Sequence, residues 1–196
     1  MKMYPYITHH GKVIIEILRG RVADNRPLIV HDPLVGAEIG VWKGKNAATL
    51  LARAPGLTLY MCDYWGDPNA PKSDQSIQGQ EAAALAKKET SFALTRRIIV
   101  NKKSPEAADR VQDGELDFAF IDGDHMYQPC LDDIRAWWPK IKPGGLMLGH
   151  DIDNPRDFAV EWGVRRAVEE FCVELDLPFD VYPDPAMVFA IRKSEL

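Results

Sequence analysis

Cysteine is scarce in this chain, with three in 196 residues. An odd number, each thiol among apolar neighbours (Cys62, Cys130, Cys172), argues against a disulfide framework and offers no CxxC clamp for a metal. No run approaches eighteen apolar residues, so none reads as a membrane-spanning helix. The N-terminal Met-Lys-Met-Tyr-Pro-Tyr lacks the apolar core of a signal peptide, which predicts a cytoplasmic protein. Cations are not in excess. The 24 Lys and Arg against 29 Asp and Glu give a net charge of −5, without the clustered positive charge that nucleic-acid binding needs. What is present is an ordinary globular balance, 46% hydrophobic and 27% charged, in a length that suits one domain with a real core. A small enzyme is the leading expectation, with an N-terminal helical extension over 1–34 and a core over 35–196.

Hydrophobic periodicity orders the chain. Val13, Ile14, Ile17, Leu18 and Val22 recur at helical spacing and predict a leading helix over 13–22. Residues 35–41 read as a buried strand, and Asn46 as the cap of a helix whose apolar face is Ala47, Leu50 and Leu51. A strand over 57–62 stops at Asp63, a long loop spans 66–79, and a surface helix covers 80–94. Strands follow at 97–100 and 116–121, then a helix with Leu131, Ile134 and Trp138 inward, stopped by Pro139. Pro143-Gly-Gly145 reads as a turn before a strand at 146–148. The clearest helix runs 164–175, and strands near 179–182 and 187–192 pair as a hairpin. Strands that are apolar on both faces and alternate with helices imply an α/β fold, a doubly wound, mostly parallel sheet with helices on both faces. Ligands in such sheets bind beyond the carboxyl ends of the strands.

Those ends carry the candidate chemistry. The first is Glu38-Ile-Gly40-Val-Trp-Lys-Gly44, a GxxxG that fits neither the dinucleotide fingerprint GxGxxG nor the phosphate loop GxxxxGK[ST]. A strand-to-helix turn with packing glycines is an equal reading of this motif alone. Asp63 follows at about the 20-residue distance where a doubly wound fold places its ribose-binding acid. Two further ends, Asp122-Gly-Asp-His125 and His150-Asp151, bring carboxylates and imidazoles to one edge. Such a cluster needs a cation, a proton or a cationic ligand for relief. Mg²⁺ favours its oxygens, whereas Mn²⁺ and Fe²⁺ tolerate the imidazoles. Helix capping by Asp122 and Asp151, and hydrogen-bonded histidines without catalytic work, are the structural alternatives.

Taken in order, these segments resemble the class I S-adenosylmethionine-dependent methyltransferases. Glu38–Gly44 looks like their E-x-G-x-x-x-G motif, and Asp63 like their ribose-binding acid. Residues 116–127, the acids at 132–133 and Pro143–Asp151 resemble a narrower subset, the small-molecule O-methyltransferases related to macrocin O-methyltransferase. The resemblance implies a Rossmann-like seven-stranded sheet with a reversed C-terminal strand, and S-adenosyl-L-methionine as cofactor. Implied cofactor contacts are Glu38, Gly40, Gly44, Asp63, Tyr64 (or Trp65 in its place), Ser104 and Asp122. Asp122, His150 and Asp151 take the metal-ligand positions for Mg²⁺ or Mn²⁺, with His150 standing where those relatives carry an acid. Asp122 and either His125 or His150 as general base are the implied catalytic groups. The acceptor is a small hydroxylated metabolite or sugar, its pocket built from the N-terminal helix and the 66–79 loop. The absence of a large lid favours an open site, or one completed by a second subunit in a homo-oligomer. A different class also accommodates the altered His150: a cofactor-binding fold without transfer activity, acting as a regulatory or partner subunit.

Overall fold

The computed structural model describes residues 7–20, 33–66, 74–155 and 162–195. Seven strands form one sheet there: β1 (Leu34–Ile39), β2 (Leu57–Asp63), β3 (Arg97–Asn101), β4 (Leu116–Ile121), β5 (Ile141–Gly149), β6 (Phe179–Tyr182) and β7 (Val188–Arg192). Their spatial order is β3-β2-β1-β4-β5-β7-β6. The first five are parallel, and β7 runs antiparallel to both β5 and β6. The mostly parallel sheet with one reversed C-terminal strand is therefore observed.

Two apolar layers cover the sheet, and the period-2 pleat assigns side chains to them. Along β4, Phe118 and Phe120 point toward α1 (His9–Leu18), α2 (Lys45–Arg53) and α3 (Asp74–Glu89). Ala119 and Ile121 point the other way, toward α4 (Tyr127–Trp137) and α5 (Val164–Leu175). All four are essentially buried. Small side chains let α2 and α3 approach closely, for a Cβ on Gly44 would lie 2.7 Å from Ala86 Cα. Three free, buried thiols agree with the absence of a disulfide framework.

Several expectations need correction. The leading helix starts at His9 and ends at Leu18, because the Thr8 side chain caps it five residues ahead of the first aliphatic, Val13; Val22 lies outside the described residues. The helix placed at 80–94 begins at Asp74, inside the expected loop, and ends at Glu89 before a short 3₁₀ turn at Ser91–Ala93. Gly79 lies within it, at a point where the helix passes so near the Trp65 carbonyl that a Cβ would come within 2.3 Å of its oxygen. Gly44, in a left-handed conformation, is the N-cap of α2, and Asn46 is buried inside the helix. Trp137, not Trp138, is the inward ring of α4; Trp138 opens the following 3₁₀ turn and packs edge-on against Phe171. Pro143-Gly-Gly145 is a bulge within β5, not a turn. Leu116 pairs with Ile141 but Phe118 with Leu146, and the extra residues bond to Lys193 instead.

Candidate active site

Strand order reverses between β1 and β4, the switch point where open α/β sheets leave a crevice at their carboxyl ends. A cleft of about 570 Å³ opens there, lined among others by Gly40, Asp63, Tyr64, Ser104, Asp122 and Asp133. Asp63 ends β2 and accepts the Trp42 N–H at 2.5 Å. Burial raises its pKa, while the backbone N–H groups of Trp42, Tyr64 and Val41 act against that rise. Tyr64 is half-exposed with Lys103 Nζ 5.1 Å from its ring centre. Ser104 accepts the indole N–H of Trp137 at 3.0 Å and also bonds the buried Asp133 carboxyl.

Asp122 joins this cleft to a second group of side chains. His125 Nε2 lies 2.8 Å from Asp151 Oδ2 and 3.6 Å from Asp122 Oδ1. His150 Nδ1 lies 3.0 Å and 3.3 Å from the same two oxygens. One ligand atom from each of the four residues falls within 4.8 Å of every other. Burial disfavours the charged form of both imidazoles, but Asp122 and Asp151 outweigh it and push each up to about 9. In return the imidazoles hold both carboxyls below the usual range against burial, Asp151 furthest. Asp151 adopts a positive φ of 61°, which Asp tolerates better than most residues, and its Oδ1 accepts from Asn154 Nδ2 at 2.6 Å.

Helix α1 closes this end of the site. Gly11 N donates to Thr8 Oγ1, and that hydroxyl donates to Asn46 Oδ1 at 2.8 Å. Asn46 Nδ2 reaches Glu38 Oε1 at 3.4 Å. Glu38 is 1% exposed and its Oε2 has no partner; burial first, then Asp122, lifts its pKa well above the carboxylate range. Docked in this way, α1 lays the His10 ring on Phe120, with centroids 5.7 Å apart, and against His150 at 4.7 Å. Burial holds His10 down at about 4, so it is neutral at physiological pH.

The structure brings Gly40, Asp63, Tyr64, Ser104 and Asp122 into one cleft, and His125, His150 and Asp151 around Asp122. Glu38 and Gly44 do not line the cleft. The space of the missing Cβ at Gly40 is filled by the Asp122 backbone, and that at Gly44 by Ala86. Trp65 is buried, its indole donating to the Trp42 carbonyl, so of Tyr64 and Trp65 it is Tyr64 that lines the cleft, together with the half-exposed Trp42. Sequence reasoning missed His10 and did not separate Asp133 from its neighbour. The signal for His10 was present: it precedes Val13, Ile14 and Ile17 at i+3, i+4 and i+7, on the inward face.

Residues 37–152 match the model of a family described as a methyltransferase domain. The fold superposes on a candidate caffeoyl-CoA O-methyltransferase of Staphylococcus aureus with a TM-score of 0.67 and 14% identity, over 98% of this chain and 87% of the other. It also matches precorrin-6y C5,15-methyltransferase of Geobacter metallireducens (TM-score 0.64, 15% identity, 98% and 92% covered). A third match is the cofactor-bound Rv0187 from MTB (0.65, 14%, 98% and 83%). At these identities the likeness is one of fold. Among curated proteins, the uncharacterized protein y4gI of Sinorhizobium fredii is 33% identical over 55 residues, which are 28% of this chain and 6% of that one. The match thus spans a small part of that relative's length.

Proposed function

The chain belongs to the methyltransferase-domain family, and from that premise we propose that it moves a methyl group from S-adenosylmethionine to a hydroxyl oxygen of a small acceptor. The observation that carries the reading is the position of Asp122, shared by the cleft and by the imidazole–carboxylate cluster. The cleft fits the cofactor on its own terms. Its volume is in the range of small-molecule sites, Asp63 offers a carboxylate at the end of β2, and Tyr64 an aromatic face beside it. A carboxylate has about four acceptor positions, so with the Trp42, Tyr64 and Val41 N–H groups upon it Asp63 keeps one for a ribose hydroxyl. Glu38 acts from behind the loop, through Asn46, and not by contact.

When bound, the cofactor supplies a methyl group on a positively charged sulfur, open to in-line attack by oxygen. The acceptor hydroxyl must therefore lose its proton. His125 and His150 are held as cations by Asp122 and Asp151 at neutral pH, so neither is a ready base in that state. A divalent ion on Asp122, His150 and Asp151 would lower the hydroxyl pKa and fix its oxygen. His10, stacked on the buried Phe120 and resting against His150, borders the cluster on the α1 side.

Calorimetric titration with S-adenosylhomocysteine tests the reading. Micromolar binding is expected, and Asp63→Ala should weaken it by about 1–3 kcal/mol through lost charged hydrogen bonds. No binding by the wild-type protein would overturn the assignment. Binding without turnover on any hydroxylated acceptor would favour the regulatory-subunit alternative.

A further inference from the structure

We infer that α3 carries a self-association face, through which two copies of this chain pair antiparallel about a two-fold axis. The helix is built with its small side chains inward. Gly79 lies against the Trp65 carbonyl and Ala86 against Gly44, with Ala82 buried between them. Its large aliphatic side chains, Ile77 and Leu85, are exposed instead. Ile77, Glu81, Ala84, Leu85 and Lys88 recur at i, i+4, i+7, i+8 and i+11, which sets them in one stripe opposite the buried side. Just beyond the helix, Phe92 and Leu94 are exposed as well, and these four large apolar side chains are 38% to 67% accessible. Exposed aliphatics scattered singly need no explanation, but apolar side chains gathered along one element mark an interaction site.

Charge decides the occupant and its direction. Glu81 and Lys88 stand equally far in sequence on either side of the stripe's centre at Ala84 and Leu85. Both are exposed, and neither has an ion-pair partner among the described residues. In an antiparallel pair centred there, Glu81 comes level with the partner's Lys88, and Lys88 with the partner's Glu81. Ala84 comes level with the partner's Leu85, a small side chain against a large one. Ile77 reaches the 3₁₀ turn that bears the partner's Phe92. A parallel pair would set Glu81 on the partner's Glu81 and Lys88 on the partner's Lys88, so like charges exclude it.

A two-fold axis makes every such contact occur twice, which is the self-complementarity that a closed dimer requires. That match is the reason to assign the stripe to a second copy, since an unrelated partner would place no such demand on the order of its charges. A helix of 16 residues is about 24 Å long, so the contact falls at the small end of specific interfaces and should dissociate in the micromolar range. The same helix backs the cleft. Gly79 packs on Trp65, whose indole donates to Trp42, the loop residue bonded to Asp63. The inference stands apart from the methyl-transfer reading, and its test uses no cofactor.

The test is sedimentation velocity of the full-length protein from about 1 to about 200 µM, where a monomer–dimer equilibrium is expected. Leu85→Glu changes an exposed position and should leave only monomer. Glu81→Lys and Lys88→Glu should each raise the dissociation constant by about 10-fold or more, because both symmetry-related contacts turn repulsive. The double reversal, Glu81→Lys with Lys88→Glu, should return it to within about 3-fold of wild type. Circular dichroism and thermal unfolding check that each variant is folded. A wild-type protein that stays monomeric throughout overturns the proposal and leaves the stripe to a partner of another kind. A dimer that survives Leu85→Glu lies elsewhere on the surface and overturns it too, as does a double reversal that binds no better than the single ones.

Discussion

Asp133 sits on α4 with 4% of its surface exposed, facing Ser104 at the floor of the cleft. Burial pushes its pKa up to about 6, against the help of the Ser104 hydroxyl. Its folded value then lies above the unfolded one near 3.9, so the folded state holds the proton more tightly. The sign follows: stability falls as pH rises from about 4 to about 6, and the cost persists above that. Asp133→Asn removes the titration. It is expected to gain up to about 2–3 kcal/mol over wild type at pH 7.5 and little at pH 4, because two pKa units are worth about that much. Urea unfolding at both pH values checks this. A difference independent of pH would mean that the carboxyl does not titrate with folding.

At the scale of elements, the docking of α1 matters most for the site. A Cβ on Gly11 would lie 2.4 Å from Thr8 Oγ1, 2.6 Å from Asn46 Oδ1 and 2.9 Å from Thr49 Cγ2. Gly11→Ala sets two effects against each other. Alanine favours the helix by about 1 kcal/mol, but overpacking a contact this tight costs about 1–3 kcal/mol. The clash should win, lifting α1 off α2. Amide exchange over residues 9–18 should then accelerate while β4 and β5 stay protected; unchanged exchange in α1 would refute the docking network. The network also marks where the sequence stopped being legible. The periodic elements, β4 and α5 above all, were readable because an apolar repeat reports which face is buried. The partnerships of Asn46 and His10 were not, since a polar residue's partner is set by packing between elements distant in sequence. The bulge at Pro143–Gly145 was hidden for a similar reason: Lys193, far along the chain, supplies its hydrogen bonds.

The molecule as a whole is organised around one seam, the boundary between β1 and β4 where the strand order turns back. Asp63 and Tyr64 lie on one side of it, His125, His150 and Asp151 on the other, and Asp122 between. The seam is tight because Asp122 N donates to Ile39 O at 2.8 Å, which brings the two strand ends into backbone contact. Gly40 makes this possible. Its φ is +91°, and a Cβ there would lie 2.0 Å from the Asp122 carbonyl oxygen. In Gly40→Ala the left-handed backbone alone costs about 1–2 kcal/mol. The obstacle is backbone rather than a flexible side-chain end, so relief requires the two strand ends to separate. A total loss above about 3 kcal/mol is expected, with weaker binding of S-adenosylhomocysteine and, together with it, of Co²⁺ as a probe of the ion position on Asp122, His150 and Asp151. Gly44→Ala provides the contrast. It also clashes, against Ala86 on α3, but away from the Asp122 cluster, so it should cost stability while leaving Co²⁺ affinity near wild type. Measuring both ligands on both folded variants separates damage at the seam from damage to the fold. Wild-type Co²⁺ affinity in Gly40→Ala would show that the two sides of the site are not joined through Asp122.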